Sequence, residues 1–218
     1  MSTDISLKGE LMYLGQEHLA TAASLLFQAY QNDPLFQSIF QVEKEGYAQR
    51  LRAAIREELT VFHEHQQPMF GLFHDDTLEG VVCMTRPGSN FGPERFWHWR
   101  LRMLLTAGYV STKQMLEKER IIAEAMPVQN YHMLTFIAVH PNYQQQGLGD
   151  LLVHAARNEL ENHAESAGIS LLATRSEYGK FFASRGFHEL RSLQVGEIKG
   201  QLMFLAREDE EVVENSAE

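Results

Sequence analysis

One stretch of the sequence, residues 133–149, constrains the fold more than any other. It begins with an apolar run, Met133 to Val139, that stops before Pro141. A short polar turn with Gly147 and Gly149 follows. Apolar residues then recur at helical spacing: Leu151, Leu152, Ala155, Ala156 and Leu160. The pattern predicts a strand, a turn and a helix in succession. A helix start carries free N–H groups and partial positive charge, so this turn suits a phosphate or pyrophosphate.

The spacing within the turn excludes two common phosphate-binding motifs. A P-loop requires a lysine and a hydroxyl residue after its last glycine, whereas Asp150 follows Gly149 here. A dinucleotide-binding turn requires a third glycine at the position of Leu152. From these residues alone, an ordinary glycine-containing turn before a core helix remains an alternative to a ligand site.

The motif Val139-x-Pro141-x-x-Gln144-x-x-Gly147-x-Gly149 resembles the acyl-coenzyme A signature of the GNAT superfamily of N-acetyltransferases. The segment 168–187 agrees, because a strand, a short helix and a Gly-Phe pair stand in the order common in that family. Residues Ala29 to Phe36 are similar to the segment after the first helix in one subgroup. The resemblance covers roughly residues 8–207 of the chain.

The resemblance implies an α+β fold, in which helices flank a mixed, mostly antiparallel central sheet. Residues 1–207 are expected to form a single N-acetyltransferase domain. Upstream, the helical spacing of apolar residues predicts helices over Gln16 to Tyr30 and Glu43 to His63. The charges of the second helix are expected to form a solvated face.

The chain departs from a minimal family plan at residues 86–130, which separate the third and fourth strands. A connection of this length needs helices of its own, so we expect a helical insertion, with Ser111 as the N-cap of its second helix. The insertion is rich in aromatic and large apolar residues: Phe96, Trp97, Trp99, Met103, Leu104, Leu105 and Tyr109. These residues pack the helices onto the sheet, line the acceptor pocket, or both; a homodimer interface is a further use for them.

Composition limits the binding partners and the cellular location that are expected of this protein. The net charge is −10, but residues 208–218 contain six acidic residues and no Lys or Arg, which predicts a disordered acidic tail. The remaining 23 acidic and 19 basic residues argue against nucleic acid as a partner, and weakly favour a cationic acceptor. No apolar run is long enough to span a membrane, and residues 1–10 do not resemble a secretory signal. With Cys83 as its single cysteine, the chain fits a reducing, cytoplasmic setting.

The resemblance also implies which residues hold acetyl-coenzyme A. The strand main chain would bind the pantetheine arm, and the N–H groups of the turn would bind the pyrophosphate. The residues concerned are Ile137, Ala138, Val139, Gln144, Gln145, Gln146, Gly147, Leu148 and Gly149. The Gln144 side chain is expected either to contact a phosphate oxygen or to face solvent.

The sequence gives weaker candidates for proton transfer. The family commonly places a tyrosine four residues before the Gly186 of its Gly-Phe pair, and Phe182 stands there. Tyr178 lies one helical turn earlier and is the nearest hydroxyl for a general acid. His132 and Glu177 are the candidate general bases, acting directly or through water.

No metal site is predicted, since in His63-x-His65 the two rings diverge on a helix and no third ligand stands out. The resemblance therefore implies transfer of an acetyl group from acetyl-coenzyme A to a primary amine of a small molecule or peptide. The transfer would proceed by direct attack, without an acyl-enzyme intermediate. The alternative is a coenzyme A-binding sensor or interaction module of the same fold with little or no catalysis.

Overall fold

The computed structural model describes residues 9–88 and 93–207, with the main chain only for 93–98. The predicted tail, 208–218, lies outside the described residues. The strands are β1 (Glu10–Tyr13), β2 (Met69–His74), β3 (Thr77–Thr85), β4 (His132–Val139), β5 (Gly168–Ala173), β6 (His188–Val195) and β7 (Ile198–Ala206). The helices are α1 (Leu19–Tyr30), α2 (Pro34–Ile39), α3 (Tyr47–Glu64), α4 (Pro93–Thr106), α5 (Gly108–Ala125), α6 (Leu148–Glu161) and α7 (Ser176–Ala183).

The seven described strands form one sheet in the order β1-β2-β3-β4-β5-β7-β6. All neighbouring strands are antiparallel except β4 and β5, which are parallel. Helices α1 and α3 lie with α2, α4 and α5 on one face, where Val81 and Phe136 join their core. Helices α6 and α7 cover the other face over Val82 and Leu134. This confirms the mixed, mostly antiparallel sheet flanked by helices and the helical insertion before the fourth strand.

The parallel pair β4 and β5 separates soon after it forms. Only His132 and Met133 of β4 pair with β5, opposite Ile169 and Ser170. Beyond Met133 the two strands diverge, so the later main-chain groups of β4 have no neighbouring strand on that side. The sheet therefore opens into a cleft at the carboxyl ends of these two strands.

A β-bulge lies in β4 at the start of this cleft. Cys83 of β3 pairs with Phe136, whereas the next residue, Met84, pairs with Leu134. Thr135 is therefore the extra residue on β4. A bulge bends its strand and redirects the neighbouring side chains, and bulges are common beside active sites.

Some local predictions were wrong at their boundaries. Ser111 does not cap the second insertion helix: α5 begins at Gly108, and Ser111 is buried inside it. Sequence reasoning used Pro34 only to end the first helix, but α2 begins there. The Asp33 carboxylate accepts hydrogen bonds from two N–H groups of α2, and proline is favoured in the first turn of a helix. Within the described residues, no helix is long and apolar enough to cross a membrane.

Candidate active site

The cleft between β4 and β5 contains a cavity of about 540 Å³. One wall is β4, with Ile137, Ala138 and Val139. The opposite wall consists of the end of β5 and helix α7, and the turn before α6 closes one end. Of the nine residues predicted to hold the coenzyme, all but Gln146 line this cavity.

The turn before α6 has a backbone shaped for an anion. Gln145 and Gly147 adopt positive φ angles of 63° and 81°, and Gly147 is the N-cap of α6. Left-handed residues between successive amides turn their N–H groups toward a common point, which favours anion binding. A side chain at Gly147 would meet no atom within 4 Å, so the space beside this residue is open.

Gly149 also lies where α6 packs against α7. A Cβ atom at this position would lie 3.0 Å from the Phe181 ring of α7. The glycine therefore allows α6 and α7 to pack closely, and this contact positions the cavity wall. The first glycine of the motif, Gly147, is the one that leaves space for a ligand.

Three polar side chains complete this end of the cavity. Gln144 Nε2 donates to the Val139 carbonyl at 3.1 Å, so this exposed side chain folds back onto β4. Arg185 also lines the cavity and places a cation near the turn. Its guanidinium lies 3.5 Å from the Phe181 ring centroid and pairs with Asp150 at 2.6 Å. Sequence reasoning did not identify Arg185, which follows α7 and reaches the turn only through the packing of α6 against α7.

Tyr30 of α1 occupies the place of the missing strand beside β4. Its hydroxyl donates to the Ile137 carbonyl at 3.0 Å and accepts from the Ile137 N–H at 3.1 Å. Burial raises the pKa of this phenol, so it stays protonated at neutral pH. The hydroxyl therefore satisfies both main-chain groups of Ile137 in the diverging part of the sheet. In the sequence, Tyr30 appeared only as an apolar position of the first helix.

The corner between α1 and α2 is joined to the end of β5 across the cleft. The buried Asp33 carboxylate accepts a hydrogen bond from the Thr174 hydroxyl. Arg175 donates to the Asn32 carbonyl beside it. Two connections across the opening hold the diverging strands at a fixed separation.

A second cavity, of about 810 Å³, lies between α3, the insertion helices and the ends of β3 and β4. Thr135, the bulged residue of β4, lines both cavities, so the two spaces adjoin at this residue. Trp99 lines the second cavity and is buried. The side chain of Trp97 lies outside the described residues.

Glu58 of α3 lines the second cavity and has a raised pKa. It accepts a hydrogen bond of 2.9 Å from Trp99 Nε1. Burial raises the pKa of Glu58 to about 7, although nearby Lys118 acts to lower it. Glu119 acts in the same direction as burial, and Glu58 in turn helps to raise the pKa of the buried Cys83 thiol. The sequence prediction of a solvated charged face on this helix was therefore wrong for Glu58.

The structure separates the three catalytic candidates taken from the sequence. Tyr178 lines the coenzyme-side cavity of about 540 Å³. Glu177 is exposed, lies 3.6 Å from Arg175 and lines neither cavity. His132 is fully buried at the start of β4 and also lines neither cavity. A general base at His132 does not fit this position, since an amine in the cavities cannot reach it.

Phe182 lies at the tyrosine position of the family and is buried in an apolar cluster. Its ring centroid lies 5.3 Å from that of Phe187 and 5.1 Å from that of Phe181. Phe182 also lines the coenzyme-side cavity, one helical turn from Tyr178. Phe182 and Tyr178 therefore lie on the same wall of this cavity.

Comparisons with known structures extend the geometric argument. A histone acetyltransferase HPA2 and related acetyltransferase from Corynebacterium glutamicum superimposes with a TM-score of 0.72 and 16% identity, over 94% of this chain and 99% of the other. PaiA N-acetyltransferase from Thermoplasma acidophilum, in complex with coenzyme A, gives 0.59 and 15%, over 92% and 100%. A putative arylalkylamine N-acetyltransferase 7 from the yellow fever mosquito gives 0.66 and 13%, over 91% and 87%. At these identities the structures establish a common fold.

Membership of a protein family is established by the sequence itself. No curated protein matches the chain significantly in sequence. The sequence profile of the acetyltransferase (GNAT) domain matches residues 99–213, slightly more than half of the 218 residues. The match includes the bulged strand β4, the turn before α6 and helix α7, which line the cavity of about 540 Å³. The chain therefore belongs to the GNAT superfamily of N-acetyltransferases.

Proposed function

We propose that this acetyltransferase moves an acetyl group from acetyl-coenzyme A to an amine by direct attack. The observation that carries the proposal is that Thr135, in the bulge of β4, lines two separate cavities. One cavity suits a long thioester and the other suits an acceptor. Two substrates that approach one point from separate spaces react without a covalent enzyme intermediate, because proximity and orientation supply much of the rate.

The cavity between β4 and β5 is the proposed site of acetyl-coenzyme A. A solved structure with the same fold, PaiA from Thermoplasma acidophilum, is a complex with coenzyme A. In this chain the left-handed turn at Gln145 and Gly147 provides N–H groups for the pyrophosphate. Arg185 adds a guanidinium at the same end. The diverging main chain of β4 is available to the pantetheine arm.

The second cavity is the proposed acceptor site, and Glu58 is the proposed base. An alkylamine is protonated at neutral pH and must lose a proton before it attacks. A carboxylate with a pKa of about 7 is half ionised at neutral pH, which suits a general base. The ionised form also attracts an ammonium group, so the site favours a cationic small molecule or peptide amine over a neutral one.

The atoms balance without a cofactor. The amine nitrogen bonds to the thioester carbonyl carbon, and the carbon–sulfur bond breaks. The ammonium loses one proton to Glu58, directly or through water, before it attacks, and the acylated nitrogen releases a second proton to water. The thiolate gains a proton from a hydroxyl in the coenzyme-side cavity or from water, which gives free coenzyme A and an N-acetylated product.

Tyr178 is the proposed proton donor, and its role yields a prediction. Burial raises the pKa of Tyr178, so the phenol stays protonated and able to donate. Tyr178→Phe should lower kcat by about tenfold, less than is usual for a general acid because a thiolate is a good leaving group. The KM for acetyl-coenzyme A should stay within about twofold, since the ring remains.

Moving the hydroxyl tests whether it, and not the packing of the ring, matters. The double variant Tyr178→Phe/Phe182→Tyr places the hydroxyl at the usual family position, on the same cavity wall. We expect it to regain most of the lost kcat. Failure of the rescue together with an unchanged kcat in Tyr178→Phe would remove Tyr178 from the chemistry.

A thiol-release assay with acetyl-coenzyme A tests the proposed function as a whole. The panel would include polyamines, arylalkylamines, amino acids and lysine-containing peptides, with neutral alcohols as negative controls. We expect turnover with at least one cationic amine and none with the alcohols. Tight coenzyme binding without turnover on any amine would favour a sensor or interaction module of the same fold.

A further inference from the structure

A cluster of three possible metal ligands lies at the end of the molecule away from the cleft opening. His132 is the first residue of β4, Glu159 lies in the last turn of α6, and His163 lies two residues beyond the end of that helix. One nitrogen of each ring and one carboxylate oxygen lie within 4.8 Å of one another. None of the three residues lines either cavity. The cluster is therefore separate from the proposed active site.

One ring nitrogen of the buried His132 side chain has no hydrogen-bond partner among the described residues. The Ser166 hydroxyl donates its proton to the Gly168 carbonyl at 3.1 Å. With Nδ1 protonated, His132 donates to the same hydroxyl oxygen at 2.8 Å, and both hydrogen bonds form at once. The other nitrogen, Nε2, carries a lone pair and has no partner among the described residues, although the side chain is fully buried. Leaving a buried acceptor unsatisfied costs free energy, so this nitrogen calls for a ligand.

The other two side chains are also held by neighbours in the manner of metal ligands. His163 Nδ1 lies 2.9 Å from the Glu159 carbonyl oxygen, which leaves its Nε2 free to coordinate. The buried Glu159 carboxylate bonds Arg86 Nε at 3.2 Å and the Tyr13 hydroxyl at 3.3 Å. Metal-binding histidines usually bond a second partner through their other nitrogen, and ligating carboxylates are similarly fixed.

We propose that His132, Glu159 and His163 bind one divalent transition-metal ion of the zinc class. Two imidazoles and one carboxylate are a ligand set that zinc accepts, with a fourth position open to water. Around a tetrahedral zinc ion the ligand atoms would lie about 3.4 Å apart, so the side chains close in by about 1 Å on binding. The ion links the start of β4 to the end of α6.

The Arg86 guanidinium sets the expected strength of this site. It offsets the one negative charge that Glu159 brings to the ion, and the two histidines bring none. A site with this charge balance binds more weakly than one with several anionic ligands. The sequence did not predict the cluster, because His132 is 27 residues from Glu159 and no short motif connects them.

Calorimetry with Zn²⁺ on the full chain, stripped of metal by a chelator, tests the proposal. The wild type should bind one equivalent with a Kd in about the micromolar range. His163→Gln should weaken binding at least tenfold, and its partly exposed side chain makes the substitution tolerable for folding. His154→Gln is the matched control, because His154 is an exposed histidine on α6. It should bind Zn²⁺ like the wild type.

Two further readouts keep the test independent of folding. Zn²⁺ should raise the Tm of the wild type and of His154→Gln, but not that of His163→Gln. Co²⁺ bound to the wild type should give the visible absorption of a four-coordinate site. Absence of one-to-one binding by the wild type, or equal affinity in wild type and His163→Gln, would overturn the proposal. Equal weakening in both histidine variants would also overturn it, by assigning the binding to surface histidines.

Discussion

Glu58→Gln should lower kcat/KM for the amine by about 10²- to 10³-fold, within the range of general base catalysis. The amide has almost the same shape, and its oxygen still accepts the hydrogen bond from Trp99 Nε1. The substitution therefore removes the basic site and leaves the cavity wall in place. Steady-state kinetics at saturating acetyl-coenzyme A, with an amine identified by the thiol-release assay, measure the effect.

The pH profile gives the same prediction a second readout. Below pH 7 the Glu58 carboxyl is mostly protonated and cannot take a proton, so wild-type kcat/KM should rise as pH increases through about 7. The groups that act on this carboxyl are Lys118 and Glu119 of α5 and the Trp99 indole of α4. Free alkylamines titrate near pH 10, well above this inflection. In Glu58→Gln the inflection near 7 should disappear.

Glu57→Gln is the control for this substitution. Glu57 is the neighbouring carboxylate on α3, but it pairs with Arg102 at 3.2 Å and does not line the acceptor cavity. Its kinetics should stay within about threefold of the wild type, as expected away from the site. A Glu58→Gln enzyme with wild-type kcat/KM and an unchanged pH profile would exclude Glu58 as the base.

Gly147→Asp should weaken acetyl-coenzyme A binding by about 10²-fold, which corresponds to roughly 2.7 kcal/mol. The new carboxylate would stand beside the N–H groups that are proposed to hold the pyrophosphate, and like charges a few ångströms apart repel at this scale. Folding should survive, because a Cβ at this position meets no atom within 4 Å. Asp is also one of the few residues that accept the left-handed conformation at φ 81°.

Gly147→Asn separates charge from size in this experiment. Asn has nearly the same volume as Asp and tolerates the same backbone conformation, but it is neutral. Its Kd for acetyl-coenzyme A, measured by calorimetry, should lie within about tenfold of the wild type. If Asp and Asn weaken binding equally, bulk alone is responsible and the charge argument fails. If neither changes the affinity, the turn is not part of the coenzyme site.

The sequence predicted best those features that depend on consecutive residues. The strand, turn and helix from Met133 to Leu160 follow from local periodicity and from the two glycines, and the structure has each of them. The two helices of the insertion were similarly local. Boundaries were less certain, because α5 begins at Gly108 and Ser111 lies inside it.

The sequence predicted poorly those features that arise when distant segments meet. Glu58 appears in the sequence as one of many charges on an amphipathic helix, and only the packing of α4 and α5 buries it. Tyr30 reaches β4 across 107 positions of sequence. His132 titrates near neutrality as a free side chain, which made it attractive as a base. In the fold, burial and neighbouring His163 lower its pKa to about 4, and it faces away from both cavities.

The hydrogen bonds between Tyr30 and Ile137 have a consequence for the order of events during binding. The hydroxyl is both donor and acceptor to one residue of β4, as a peptide group of a ligand would be. A ligand that pairs with Ile137 must displace this hydroxyl, and the number of hydrogen bonds is the same before and after the exchange. Those bonds then specify the register of the ligand along β4 but add little to its affinity. Most of the binding energy must therefore come from the other contacts of the ligand.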